Sequence, residues 1–135
     1  MAYLEWNETF SVHVQEFDEH HKRIIDMINA LREVIEQSTD DSGVVDMVHS
    51  LIDYASIHFR AEERYMTQFG YTEYEPHEAE HDRFIEQVLG FQKRLSKGEV
   101  VIPNELLRFL KDWLVKHVLG TDKRYSRFFN DKGLH

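Results

Sequence analysis

Apolar residues recur along most of this chain at alternating steps of four and three positions, the spacing that places them on one face of an α-helix. Glycine and proline interrupt this spacing at only a few places, and four long segments remain between them. The pattern therefore predicts four amphipathic helices, at about residues 18–37, 44–68, 76–95 and 103–119.

Three of the four segments begin with residues that favour the start of a helix. Asp40, Asp41 and Ser42 carry side-chain oxygens suited to capping the second helix. Pro76 and Pro103 are predicted to open the third and fourth helices, because the N–H that proline lacks would be unpaired in the first turn.

Helices of this length, joined by short loops, are typical of an all-α, up-down-up-down four-helix bundle. A chain of 135 residues has the size of one ordinary domain, so we expect a single domain. It would consist of an N-terminal arm (1–17), the bundle (18–119) and a short C-terminal helix (121–130).

The charge and composition exclude several classes of function. The net charge of -9 disfavours nucleic acid and anionic membranes as partners, because both attract positive surfaces. No apolar run approaches the roughly 18 residues of a membrane span, and the start of the chain does not resemble a secretory signal, so we expect a cytoplasmic protein. Without cysteine, a metal site must use nitrogen and oxygen ligands.

Six polar residues occupy core positions on the four predicted helices. In an up-down-up-down bundle, they fall at matching depth and converge on one layer. A single histidine on an apolar stripe is usually an ordinary core residue, but so many buried lone pairs are costly without a metal to use them. The six are His21, His58, Glu62, His77, His81 and His117.

Asp122 is a seventh candidate, with two open interpretations. On a straight helix it would point well away from His117, five positions earlier, unless Gly120 supplies a bend that brings it back. Alternatively, Asp122 caps the short helix that follows.

The stretch "HEAEH", His77 to His81, also matches the H-E-x-x-H motif of zinc peptidases, in which the glutamate acts as a base. The extended motif fails, because Phe84 and Gln87 stand where it needs glycine and histidine. A peptidase would also leave the other buried histidines without a purpose. Glu78 and Glu80 are therefore predicted to be solvated surface residues, and the same is expected of His13, His49 and His135.

The segments "FDEHHKRI", "HFRAEERYM", "HEAEHDRF" and "WLVKHVLGTDKRY", in this order and spacing, resemble the haemerythrin family. The resemblance covers nearly the whole chain, including "LEWNETFSV", and is greatest to the single-domain bacterial haemerythrins. It implies that one iron is held by His77, His81 and His117, a second by His21 and His58, and that Glu62 and Asp122 bridge them. An oxo or hydroxo bridge completes such a centre, and dioxygen binds to the iron held by two histidines.

The resemblance also bears on residues beside these ligands. Trp113 and Leu119 match family positions near the dioxygen pocket. His20 departs from the family, which more often has glutamine there. His21 is the expected ligand because it shares a helix face with Phe17 and Ile24, whereas His20 lies about 100° around the helix and should face solvent or a neighbour.

The donor set agrees with the function that the resemblance implies. Imidazoles suit iron, zinc or copper, and two carboxylates can bridge a metal pair. A histidine-rich shell with fewer carboxylates than ferritin-type oxidases favours reversible dioxygen binding, for storage, delivery or buffering, rather than catalysis. Two alternatives remain: an oxygen or redox sensor that acts through a partner protein, and a di-iron oxidase or peroxide-handling enzyme.

Overall fold

The computed structural model describes residues 3–37, 42–99 and 102–135, and within these ranges it contains helices and no β-strand. The long helices are α1 (Gln15–Gln37), α2 (Ser42–Phe69), α3 (Tyr74–Ser96) and α4 (Ile102–Lys116). A π-helical segment (His117–Asp122) and a short helix, α5 (Lys123–Asp131), follow without a break. The all-α class and the C-terminal helix are as predicted.

The long helices form a ring, in which α1 packs on α2, α2 on α3, α3 on α4, and α4 on α1. Each helix turns its apolar stripe inward, so that residues such as Phe17, Val48, Met66, Val88 and Leu106 are almost completely buried. This closed core is the four-helix bundle that the spacing predicts, and it fixes the depth at which each polar residue on a stripe lies.

The helices begin slightly earlier than the sequence indicates. Helix α1 starts at Gln15, three residues before the predicted Asp18, and α3 starts at Tyr74, two residues before Pro76. Pro76 still lies in the first turn, where a missing N–H leaves no bond unmade. The capping cluster of Asp40, Asp41 and Ser42 lies outside the residues whose side chains the structure describes.

The N-terminal arm is bound to the bundle by its backbone. The Leu4 N–H donates to Asn29 Oδ1 at 2.9 Å, and Asn29 Nδ2 donates to the Leu4 carbonyl at 2.8 Å. Further along, the Val12 N–H and the Ser11 hydroxyl both donate to the Asp18 carboxylate. Phe10 and Val12 of the arm are buried, and the turn at residues 8–10 contacts the segment that follows α4.

The chain changes its winding after α4. In the π segment the hydrogen bonds span one residue more than in an α-helix, so side chains five positions apart come back toward one face. Gly120 lies inside this segment and does not take a positive φ. The change in winding brings Asp122 back toward the face that carries His117.

No helix in the described ranges is long and apolar enough to cross a membrane.

Candidate metal centre

The structure brings together all seven residues that the sequence singles out as ligands. They lie in one layer, where α1 and α3 begin and where α2 and α4 approach their ends. None of the seven exposes more than 3% of its surface. They are His21, His58, Glu62, His77, His81, His117 and Asp122.

The seven residues form two overlapping groups, in each of which the donor atoms all lie within 4.8 Å of one another. His77, His81 and His117 form the three-histidine group, and His21 and His58 form the two-histidine group. Glu62 and Asp122 belong to both groups. Two adjacent metal positions that share two carboxylates are the simplest account of this overlap.

Each shared carboxylate turns one oxygen to each group. Glu62 Oε1 lies 3.2 Å from His81 Nε2, whereas Glu62 Oε2 lies 3.4 Å from His58 Nε2. Asp122 Oδ1 lies 2.9 Å from His117 Nε2, whereas Asp122 Oδ2 lies 3.2 Å from His21 Nε2. This is the orientation in which a carboxylate bridges two cations.

Several of these donor atoms have no hydrogen-bond partner. His77 Nε2, Glu62 Oε1 and both Asp122 oxygens are buried and unpaired among the described residues, although His77 Nε2 lies 3.0 Å from Asp122 Oδ1. Buried polar atoms left unpaired are costly, and nitrogen and oxygen lone pairs that converge without bonding one another suit a cation. The donor set therefore fits a pair of transition-metal ions of the kind that prefer imidazole and carboxylate.

Helical spacing explains how most of these side chains reach the layer. His58 and Glu62 are four positions apart on α2, and so are His77 and His81 on α3, which places each pair on one helix face. Asp122 reaches the layer through the π segment. It makes no side-chain cap for α5 and is fully buried, so the capping interpretation is wrong.

The ionisation of the layer follows from its charges. Burial alone would lower the pKa of both His77 and His117, but the adjacent Asp122 and Glu62 carboxylates outweigh it and raise the pKa values to about 9 and about 10. Burial also opposes ionisation of Asp122, yet His117 and His21 hold its pKa well below the usual range. His58 differs, since burial lowers its pKa to about 4.

Metal binding is expected to release about two protons per chain at neutral pH, because His77 and His117 are then protonated and must lose a proton to coordinate. A pH indicator in weakly buffered protein, titrated with Fe(II) or Zn(II), measures this release. Both pKa values exceed the ordinary 6.5, so metal affinity should rise with pH until about 9 to 10. In the metal-free protein the two charged imidazoles also stabilise the fold. This contribution is fully present below about pH 6.5, and it should be lost as the pH rises through about 9 to 10. Metal uptake without proton release would contradict this assignment.

Glu80 is not the solvated surface residue that the sequence predicts. It accepts a hydrogen bond from His117 Nδ1 at 3.1 Å and another from the Thr121 hydroxyl at 3.0 Å. The bond from His117 lowers the pKa of Glu80. The prediction failed because it considered α3 alone, whereas the π segment lies against this face of α3.

Two further residues contact the layer and were missed by sequence reasoning. Glu63 Oε2 lies 2.7 Å from His81 Nδ1, on the side of the ring that faces away from the shared carboxylates. The buried Tyr125 hydroxyl donates to Glu62 Oε2, and burial keeps its pKa well above the usual range, so it stays a donor. Only a weak signal in the sequence could have indicated them: Glu63 follows Glu62, and Tyr125 lies one turn after Asp122.

An apolar cavity adjoins the two-histidine group. His21, His58, His117 and Asp122 line one side of it, and every other lining residue is apolar. Neither His77 nor His81 lines it. The apolar walls include Ile24, Ile28, Leu51, Phe59, Trp113, Leu114 and Val118.

The structure supports one of the two predicted pocket residues and not the other. Trp113 lines the cavity and stacks on His117, with ring centroids 4.2 Å apart and planes inclined by 14°. Leu119 is 38% exposed and does not line the cavity, so its predicted place in the pocket is wrong. The winding of the π segment turns Val118 inward and Leu119 outward.

The geometry also decides between the two interpretations of "HEAEH". Glu78 accepts a hydrogen bond from the Tyr74 hydroxyl at 2.5 Å and belongs to neither group of donors. A zinc peptidase needs this glutamate at the metal, so the peptidase arrangement is not formed. His13, His49 and His135 are exposed, as predicted.

Comparison with known proteins agrees with this geometry. Residues 12–128 match the sequence model of the Hemerythrin HHE cation binding domain. A bacteriohemerythrin from Methylococcus capsulatus is 35% identical over 127 residues, which cover 93% of this chain and 96% of that protein. A hemerythrin-like protein from Naegleria gruberi is 29% identical over 121 residues, covering 90% of this chain and 89% of its own.

A solved structure shares the fold as well. The crystal structure of a wild-type hemerythrin superposes with a TM-score of 0.86 at 34% identity, and the alignment covers 93% of this chain and 97% of that one. Fold and site together define a helical-bundle protein of the cation-binding class. The chain belongs to the haemerythrin family.

Proposed function

We propose that this protein binds dioxygen reversibly at a non-haem di-iron centre, for storage, delivery or buffering, and that it is not an enzyme. The observation that carries the proposal is the orientation of Glu62 and Asp122, each with one oxygen toward each group of histidines. This arrangement suits two metal ions held close together. The relatives named bacteriohemerythrin and hemerythrin support iron as the metal and dioxygen as the ligand.

In this proposal His77, His81 and His117 hold one iron, and His21 and His58 hold the other. Glu62 and Asp122, each with one oxygen toward each group, would be shared by the two ions. When bound, two iron ions supply a site at which dioxygen can be reduced and later released. The iron held by two histidines has fewer protein ligands, and the apolar cavity lies against that group.

The chain's own residues make the binding reversible by excluding water. The cavity brings only carbon-rich walls to the two-histidine group, so water and the protons it carries find few partners there. The apolar walls would thereby keep protons away from the position proposed to bind dioxygen. A dry cavity therefore favours release of intact dioxygen over reaction.

The test is to purify the protein under reducing conditions, measure its metal content, and record visible spectra while oxygen is added and removed. We expect two iron ions per chain and a charge-transfer band that appears with oxygen and disappears when oxygen is withdrawn. A single zinc ion per chain, or iron that never gives a reversible band, would overturn the proposal. A band that appears once and does not reverse would favour the oxidase or peroxide-handling alternative.

Storage and sensing would use the same centre and differ in what reads its state. A sensor needs a partner protein that binds the oxygenated and deoxygenated forms with different affinity. Comparison of the far-UV circular dichroism and the hydrodynamic radius of the two forms is the first measurement, because storage requires no conformational difference between them.

A further inference from the structure

The outward-facing nitrogens of the ligand histidines have different partners in the two groups. In the three-histidine group, His81 Nδ1 is 2.7 Å from the Glu63 carboxylate and His117 Nδ1 is 3.1 Å from the Glu80 carboxylate. In the two-histidine group, His58 Nδ1 lies 2.8 Å from another imidazole nitrogen, Nδ1 of His20. His21 Nδ1 has no hydrogen-bond partner among the described residues.

With a metal bound as in the proposed function, the contact between His20 and His58 would fix where the ring protons lie. His58 Nε2 faces the shared carboxylates and must keep its lone pair to bind a metal, so the ring proton of His58 is on Nδ1. His58 Nδ1–H then donates to His20 Nδ1, which can accept only if the His20 proton is on Nε2. His20 is therefore a neutral acceptor in this contact.

Neighbouring aromatic rings hold the imidazole of His20 in the orientation that this hydrogen bond needs. It packs edge-on against His58, with centroids 4.9 Å apart and planes at 85°, and edge-on against Tyr54, with planes at 89°. The ring of Phe17, on the same helix, lies beside it with ring centroids 6.2 Å apart. The ring lies between α1 and α2, half-buried, with no direct reach to the shared carboxylates.

We propose that His20 is a positioning residue for the two-histidine iron, and that its neutral acceptor makes this iron different from its neighbour. A carboxylate that accepts from a ligand histidine increases the electron donation of that ligand, and a neutral imidazole does so less. Two carboxylates accept hydrogen bonds from the ligand histidines of the three-histidine iron, whereas one imidazole accepts from a ligand histidine of the two-histidine iron. The two-histidine iron is thus the more weakly held and the more easily reduced of the pair.

This inference rests on the ligand set of the proposed function, and the test separates the two. Anaerobic diferrous protein is mixed with a coloured ferrous chelator, and iron release is followed over time in the wild type, His20→Ala, His20→Gln and His20→Glu. We expect two phases in the wild type. His20→Ala should accelerate the faster phase about tenfold or more, the usual cost of losing such an outer partner, and leave the slower phase unchanged.

The other two variants distinguish positioning from simple packing. His20→Gln restores an acceptor oxygen, so the faster phase should return to near the wild-type rate. His20→Glu adds a negative charge at the same place, so it should slow that phase and lower the reduction potential of one of the two irons. His49→Ala is the matched control, because His49 is an exposed histidine on α2, away from both groups.

An unchanged faster phase in His20→Ala, equal acceleration of both phases, or failure of His20→Gln to restore the rate would overturn the inference. Circular dichroism of each variant checks that the bundle is folded. If the wild type releases two iron ions in two phases yet never binds dioxygen, the proposed function fails while the role of His20 stands. If it holds fewer than two metal ions of any kind, both fail.

Discussion

Glu62→Gln is expected to reduce the iron content of the purified protein from two ions per chain to one or none. The amide keeps the size of the carboxylate but removes one negative charge from a fully buried position between the two groups of histidines. It also places an NH2 group where an oxygen now faces His58 or His81. An amide binds a cation far more weakly than a carboxylate does, so neither metal position keeps its full donor set.

The matched control is Glu78→Gln, the same chemical change on the neighbouring helix. Glu78 only accepts a hydrogen bond from the Tyr74 hydroxyl, and a glutamine oxygen can accept it too. This variant should keep both iron ions and the oxygen-dependent band, with a change in stability of about 0.5 kcal/mol or less. Metal analysis of both variants under the same purification checks the pair. Normal iron in Glu62→Gln together with loss in Glu78→Gln would restore the peptidase interpretation.

Sequence reasoning located the site because helical periodicity and bundle topology together determine depth. His21 lies near the start of α1 and His117 comes directly after α4, almost a hundred residues later, yet an up-down-up-down path returns them to the same layer. The i,i+4 pairs on α2 and α3 then reach this layer because they lie on the inward-facing stripe of each helix. Both depend on local spacing, which the sequence records directly.

The parts that sequence reasoning missed depend on contacts between elements. The π segment brings Asp122 to the layer by a change in winding, which the spacing of apolar residues does not reveal. The same segment explains why Leu119 faces outward. Glu80 was misjudged because its partners, His117 and Thr121, lie about forty residues away in the chain.

The side chains that hydrogen-bond to the proposed ligands were also not predictable from the sequence. The sequence left His20 facing either solvent or a neighbour, and its partner atom on His58 could not be deduced from the phase of one helix. The bond from Tyr125 to Glu62 likewise depends on the exact approach of α5 to α2. Partners of this kind are set by how helices dock, at a precision of about an ångström that periodicity does not carry.

Trp113 separates the cavity beside the two-histidine group from the outside of α4. Its ring lines the cavity, and it also lines a surface groove together with Phe109, Asp112 and Lys116. Phe84 supports the ring from α3, with centroids 4.3 Å apart. The indole therefore lies between the groove and the cavity proposed to receive dioxygen.

Trp113→Ala is expected to shorten the lifetime of the oxygenated protein by at least about tenfold, which corresponds to about 1.4 kcal/mol in the barrier to its decay. Removing the indole joins the groove to the cavity and admits water, while all seven proposed ligands remain in place. Both iron ions should therefore be retained. The measurement is the decay of the oxygen-dependent band at fixed temperature and pH, with iron content determined on the same sample.

Phe109→Ala provides the control, because Phe109 lines the groove without lining the cavity. It should destabilise the bundle by its loss of packing against Phe84 and Phe91, yet leave the lifetime of the oxygenated form near that of the wild type. The lifetime of the oxygenated form in Trp113→Phe should lie between those of Trp113→Ala and the wild type, because a smaller ring separates the groove from the cavity incompletely. If Trp113→Ala kept the wild-type lifetime, or if Phe109→Ala shortened it equally, water would reach the centre by another route and Trp113 would serve only to pack against His117.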